Sequence, residues 1–252
     1  MNESFNITAT ASSYFRWKGM LDFVLAALIL VPALPVIGLL VVLVRLTSPG
    51  PGIFRQRRVG KDGHCFEMFK LRSMRSDAEM GLGAVWSQPK DPRVTFLGRI
   101  LRKLHLDELP QLFNVLRGEM SMVGPRPERP EFVPILAEQI SGYCDRLAVL
   151  PGVTGLAQIN LPPDSGIDSV RRKLVLDLDY VHQGSLWLDL RIILCTAGRV
   201  VGIPLCRALG LRRRVHLPLL VKFPAKSCKD DTNAIQPNRH GHGKSKSVIH
   251  LR

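Results

Sequence analysis

The chain has 252 residues, 46% hydrophobic, with a formal net charge of +14, so it can bury a real core in one sizeable domain or two small ones. It contains no P-loop, no GxGxxG, no internal repeat and no metal-ligand histidine pair, which sets aside the common nucleotide folds and zinc modules. The charge is uneven: from Arg212 onward, ten Lys/Arg stand against two Asp, in Pro- and Ser-containing sequence without periodicity that reads as a disordered tail. A basic balance suits nucleic acid or an anionic membrane surface. No nucleic-acid motif is present, and one long apolar segment favours the membrane. The five cysteines form no CxxC pair, a layout that suits a reducing compartment.

The apolar segment is Leu21–Val44, LDFVLAALILVPALPVIGLLVVLV, in which only Asp22 is charged. Its length suffices to cross a bilayer. It starts well inside the chain and no A-x-A site follows it, so it is not a signal peptide. Pro32 and Pro35 lie at its centre, and each removes a backbone donor and crowds the preceding turn, so a kink is expected near Val31–Leu34. Arg16 and Lys18 precede the segment, and Arg45, Arg55, Arg57, Arg58 and Lys61 follow it. Positive charge marks the cytoplasmic side, and here both flanks are positive. A segment broken at Pro32/Pro35 and returning to the side it entered satisfies both flanks, with Tyr14, Phe15 and Trp17 at headgroup level. A kinked span that crosses is the alternative.

Beyond the Ser48-Pro49-Gly50-Pro51 turn, Ile53–Val59 and Cys65–Leu71 have strand composition, joined by Gly60-Lys61-Asp62-Gly63 as a hairpin loop. Arg72–Gly83 reads as helix then loop. A helix capped by Thr95 follows, with Phe96, Leu97, Ile100, Leu101 and Leu104 on one face. In HLDELPQLFNVLRGEMSMVGPRP, from His105, the residues Leu106, Leu109, Leu112, Phe113 and Leu116 form a core face. Asp107, Gln111 and Asn114 form another. Pro110 belongs in a first helical turn, which sets Asp107 near a helix N-terminus, and Gly118 ends the helix. Pro151–Gly155 is a glycine-bracketed turn before a short strand, Leu156–Asn160. Val170–Val181 and Leu186–Val201 are helices. The Leu186, Trp187, Leu190, Ile193, Leu194, Ala197 stripe of the second belongs either to the core or to a membrane surface.

The chemistry concentrates at Asp107 and Glu108. Adjacent carboxylates stand too close to flank a glycosidic bond, which needs about 5 Å or more between them. They suit a phosphate, one as nucleophile or base and one as metal ligand, since Mg²⁺ is commonly held by carboxylates together with substrate phosphates. Arg102 and Arg126 are candidates to neutralise phosphate oxygens.

KLHLDELPQLFNVLRGEMSMVGPRP, with TSPGPGIFRQRRVG, FKLRSM and LPGVTGLAQIN, resembles the bacterial sugar transferase family, the small monotopic polyprenyl-phosphate phosphoglycosyl transferases. The resemblance runs from about Trp17 to Gly202. It implies an α+β, mostly helical fold. An N-terminal re-entrant membrane helix (1–46) precedes a compact cytoplasmic catalytic domain (47–210) with a small β-hairpin and membrane-surface helices; the basic tail is 211–252. It implies transfer of a sugar-1-phosphate from a nucleotide-diphosphate sugar, a UDP-sugar, to undecaprenyl phosphate at the cytoplasmic face of the bacterial inner membrane. Asp107 is the implied nucleophile, with Glu108 beside it and Mg²⁺ at the pair. Two departures stand out. Leu34-Pro35 occupies the place of a common Ser-Pro, with Pro32 added, and Leu161–Ser165 replaces a common Gly-Arg-Asn. A non-enzymatic, membrane-anchored basic binding protein is the competing class.

Overall fold

The computed structural model describes residues 5–78, 91–162 and 166–212. The tail beyond Arg212, residues 163–165 of the departing segment and the end of the Arg72–Gly83 stretch lie outside them. Helix α1 (Phe15–Thr47) is 33 residues long, about 50 Å at 1.5 Å per residue. It runs uninterrupted through Pro32 and Pro35, so the break expected at Val31–Leu34 does not appear as a loss of helix. Neighbouring turns hold the backbone helical although each proline supplies no N–H. One face of α1 is buried along its whole length, at Lys18, Asp22, Ala26, Leu30, Ala33, Ile37, Leu40 and Val44. The outer face is apolar and exposed, for instance Phe23, Leu28, Val31, Leu39 and Leu46.

The start of α1 differs from its expectation in two ways. Lys18, expected as an exposed flanking charge, is buried, and so is Asp22 within the segment. Lys18 Nζ bonds Asp22 at 2.9 Å and Asp189 at 2.5 Å, because a buried ammonium is tolerated only when paired. Tyr14 is buried too and donates to Asp189 at 2.8 Å, while Phe15 packs edge-on against Tyr180. Trp17 is the one exposed aromatic of the three. Upstream, Thr8 and Ala9 donate backbone N–H to Asp145, and Ser12 N–H bonds Val181 O. At the other end Arg72 Nη2 donates to Ser48 O at 2.6 Å, so both ends of α1 are fastened to one body.

That body begins with β1 (Ile53–Val59) and β2 (Cys65–Leu71), antiparallel in full register from Ile53↔Leu71 to Val59↔Cys65. Residues 72–78 form a β-bridge at Met74 and a turn, not a helix. Then come α2 (Phe96–Lys103), a 3₁₀ turn (Leu106–Glu108), α3 (Gln111–Leu116), β3 (Ser121–Val123), α4 (Val133–Gln139), a second 3₁₀ stretch (Tyr143–Ala148) and β4 (Gly152–Thr154). The chain continues with α5 (Leu156–Asn160), α6 (Ile167–Gln183), α7 (Leu186–Val200) and α8 (Leu205–Ala208). Thr95 caps α2 as expected, its Oγ1 accepting from Gly98 N–H at 2.9 Å, worth about 1 kcal/mol.

The strand expected at Leu156–Asn160 is α5, and the strand is instead Gly152–Thr154, paired parallel with β3. The reason is close backbone approach. A Cβ at Gly152 would overlap Gly124 N, and one at Gly155 would overlap Gly124 O. Glycines in PGVTG thus mark a strand contact, and five residues of LAQIN can close a helical turn behind it.

The main core joins Ala26, Leu30, Ala33 and Ile37 of α1 to Phe66 and Met68 of β2, Leu112 and Val115 of α3, Leu176 and Tyr180 of α6, and Ile192 and Cys195 of α7. Leu211 is buried in it as well. Of the apolar stripe of α7, only Ile193 packs against the core. Leu186, Trp187, Leu190 and Leu194 are exposed, and the buried face is Leu188, Asp189, Ile192, Cys195 and Gly198. Phe96 and Ile100 of α2 and Leu104 just after it are likewise exposed, leaving Leu101 inside.

Candidate active site

Asp107 and Glu108 lie in the 3₁₀ turn between α2 and α3, a turn entered through His105 in the left-handed region (φ 54°). This reversal carries the chain off α2 and points the dyad back toward the hairpin. Asp107 therefore stands in its own turn, separated from the six-residue α3 by Leu109 and Pro110, rather than in the first turn of a longer helix. Asn114 pins α3 to the hairpin: its Oδ1 accepts from Phe69 N–H at 3.0 Å and its Nδ2 donates to Glu67 O at 2.7 Å. Asn114 and Gln111 are fully buried, so that second face seats the dyad instead of meeting solvent.

The two carboxylates are held differently. Glu108 Oε1 accepts from Lys70 Nζ at 3.1 Å and from Arg126 Nη2 at 3.0 Å. Burial alone would raise its pKa, but the charges and hydrogen bonds of Lys70 and Arg126 outweigh it and hold Glu108 far below the ordinary carboxylate range. Asp107 is 7% exposed, and no donor among the described residues hydrogen-bonds its carboxylate. Burial, then the charge of Glu108, push its pKa up, against the opposing pull of Lys70, Arg102 and Arg126. Arg102 donates to Ser73 Oγ at 2.8 Å and acts on Asp107 through its field. Burial lowers the pKa of Arg102, partly offset by Asp107.

All four expected residues, Asp107, Glu108, Arg102 and Arg126, thus meet in one place. Lys70 was missed, although it lies within FKLRSM. The available signal was period two: Phe66, Met68 and Lys70 share one face of β2, the face that carries the core, and a lysine on an inward face needs a buried partner.

Among the described residues no group of three or more His, Cys, Asp or Glu could hold a metal by itself. Two hard-oxygen carboxylates, one accepting no hydrogen bond from the described residues and the other using a single oxygen for both cations, still fit Mg²⁺, which is commonly completed by substrate phosphates and water.

A buried carboxylate pair ringed by Lys70, Arg102 and Arg126 thus lies on a body seated against a long apolar helix. The comparisons make this specific: the family described as bacterial sugar transferase matches residues 13–202, and the chain belongs to that family. A Bacillus subtilis (strain 168) protein named for undecaprenyl-phosphate N-acetylgalactosaminyl 1-phosphate transfer is 49% identical over 144 residues, 57% of this chain and 80% of that protein. A UDP-glucose:undecaprenyl-phosphate glucose-1-phosphate transferase of Xanthomonas campestris pv. campestris is 43% identical over 187 residues, 73% of this chain but 39% of the relative. A UDP-N-acetylgalactosamine-undecaprenyl-phosphate N-acetylgalactosaminephosphotransferase of Aeromonas hydrophila is 44% identical over 174 residues, 69% of this chain and 41% of its own. The chain thus spans about two-fifths of the latter two.

Proposed function

We propose that this protein transfers a sugar-1-phosphate from a UDP-sugar to undecaprenyl phosphate, through a covalent phosphoglycosyl-Asp107 intermediate. The carrying observation is the asymmetry of the dyad: Asp107 is buried and accepts no hydrogen bond from the described residues, while Glu108 is pinned by two cations. A carboxylate free of donors keeps its lone pairs for attack. An Asp oxygen bonds to the β-phosphorus, the bond from that phosphorus to the bridging oxygen breaks, and UMP leaves with the electron pair. A phosphate oxygen of the lipid acceptor then attacks the same phosphorus, and the aspartyl oxygen departs as carboxylate. Two displacements replace one difficult encounter between two bulky anions. Arg102 and Arg126 supply positive field where phosphate charge gathers. Asp107 and Glu108 are the residues that would hold Mg²⁺, which supplies charge neutralisation on the phosphates when bound.

The same reading covers the membrane. The exposed apolar faces of α1, α2 and α7 suit the bilayer or its interface. Both ends of α1 are tied to one body, Thr8 through Asp145 and Ser12 through Val181 before it and β1 after it, which supports a chain that enters and returns on the cytoplasmic side. The competing class, a non-enzymatic basic binder, gives no reason for Lys70 and Arg126 to converge on Glu108.

To test the transfer, purified full-length protein is incubated with sugar-labelled UDP-sugars and Mg²⁺ but no acceptor. Mass spectrometry should then find a phosphosugar on the Asp107 peptide, and added undecaprenyl phosphate should chase it into lipid. Label on Glu108 alone would reverse the roles. For topology, Thr10→Cys in a cysteine-free background should stay unlabelled by an impermeant thiol reagent in intact cells; labelling would mean the helix crosses.

A further inference from the structure

Arg126 reaches Glu108 from the loop Gly124–Glu128, and that loop is fastened one carbonyl at a time. Pro125 O accepts from Gly152 N–H at 2.9 Å and Glu128 O from Val59 N–H at 2.9 Å. Pro127 O accepts from Arg58 Nη1 at 3.1 Å. The remaining carbonyl, that of Arg126 itself, accepts from Arg146 Nη2 at 2.7 Å. Three of these donors follow from strand pairing or lie at the rim of the hairpin. Arg146 does not: its side chain is 2% exposed, as is that of its partner Asp177 on α6. Its Nε meets Asp177 Oδ2 at 3.0 Å and its Nη1 meets Tyr143 OH at 3.1 Å.

A guanidinium in this position is costly to bury, and an ion pair with Asp177 alone would add little over an apolar pair of the same volume. What the pair accomplishes is geometric. The rigid fork lets one side chain hold a carboxylate, a phenol and a backbone carbonyl at once, and the carbonyl is that of the residue whose guanidinium orients the dyad.

We propose that Arg146, held by Asp177 and Tyr143, is a positioning residue that fixes the Arg126 carbonyl and thereby the approach of the Arg126 guanidinium to Glu108. This rests on the transferase reading above. Arg146 touches neither the dyad nor a reacting atom, so its contribution passes entirely through Arg126. Lysine keeps a charge for Asp177 but lacks the fork, so it cannot serve the carboxylate and the carbonyl together.

The test is a double-mutant cycle on full-length protein in nanodiscs, reading UMP release per Asp107 that can be labelled, so that a misfolded fraction does not count. Arg146→Lys should slow UMP release by about tenfold to a hundredfold, as small misplacements at a reacting centre do, with KM for the UDP-sugar nearly unchanged. In an Arg126→Met background the same substitution should have no further effect, because the residue it positions has gone. Should Arg146→Lys fail to fold, Arg146→Met combined with Asp177→Leu removes both buried charges and enters the same cycle. Costs that add in the two backgrounds, or a rate per labelled site equal to wild type, would overturn the positioning role while leaving the transferase reading intact. Wild-type protein that releases no UMP from any UDP-sugar would remove that reading, and this inference with it.

Discussion

The two sides of the dyad differ more than their adjacency in sequence suggests. On the Glu108 side, Lys70 and Arg126 converge on one oxygen, and the loop behind Arg126 is clamped at four successive carbonyls. On the Asp107 side, Arg102 is tied to Ser73 instead, and the carboxylate accepts no hydrogen bond from the described residues. Neighbouring acids thereby divide into a fixed group and an open one. The difference teaches that burial does not decide the role of a carboxylate here, since both are largely buried; the presence or absence of donors does.

The hardest blow to this contrast falls on the open side. Asp107→Asn keeps shape and removes the nucleophile, and should lower both UMP release and lipid product by at least about a thousandfold, as loss of a covalent nucleophile does elsewhere. Full-rate lipid formation in that variant would abolish the distinction between the two acids. Chelation of divalent cations should also stop Asp107 labelling, with recovery on adding Mg²⁺. The melting temperature should hardly move, because Lys70 and Arg126 already neutralise Glu108. A large fall in melting temperature on chelation would show that the fixed side depends on metal too.

Removing one clamp is a milder intervention. Lys70→Met leaves Glu108 with Arg126 alone and should slow turnover about tenfold to a hundredfold, in the range of losing one preorganised charge partner, with Asp107 still labelled in the long run. An unchanged rate constant, measured by quenched flow, would make Lys70 structural.

The smallest effect is expected farthest from the dyad, at Glu128. Burial tends to raise its pKa, but Lys173, Arg58 and Arg146 overcome this and hold it below its ordinary value of 4.5. A carboxyl depressed on folding contributes stability above its unfolded pKa, and that contribution is lost as pH falls. Glu128→Gln should therefore be less stable than wild type at neutral pH, with the two denaturation curves converging below about pH 4.5, while turnover stays within about threefold, as for a substitution remote from the chemistry. A gap that widens in acid would reverse the sign and place a different group at that position.

Much of this architecture was legible locally. The hairpin strands, the Thr95 cap and the α6 and α7 spans follow from alternation, capping chemistry and helical period, which are properties of neighbouring residues. The dyad and its arginines were legible from motif. Where expectation failed, contacts far along the chain had intervened. LAQIN has strand-like composition, yet Gly124 approaches Gly152 so closely that the strand starts four residues earlier. The α7 stripe is apolar by period, yet the face that packs inward carries Asp189, because Lys18, Tyr14 and Tyr180 converge there to satisfy it.

By itself the sequence determined that a long apolar helix leads a mostly helical α+β body, and that Asp107, Glu108, Arg102 and Arg126 belong to one centre. These follow from hydrophobic period, from residue types set close together along the chain and from the resemblance to the bacterial sugar transferase family. Only the tertiary structure decided which carboxylate is held and which is free. Lys70 lies 38 residues before Glu108 and Arg126 lies 18 after it. A hydrogen bond acts over about 3 Å of space and is indifferent to distance along the chain.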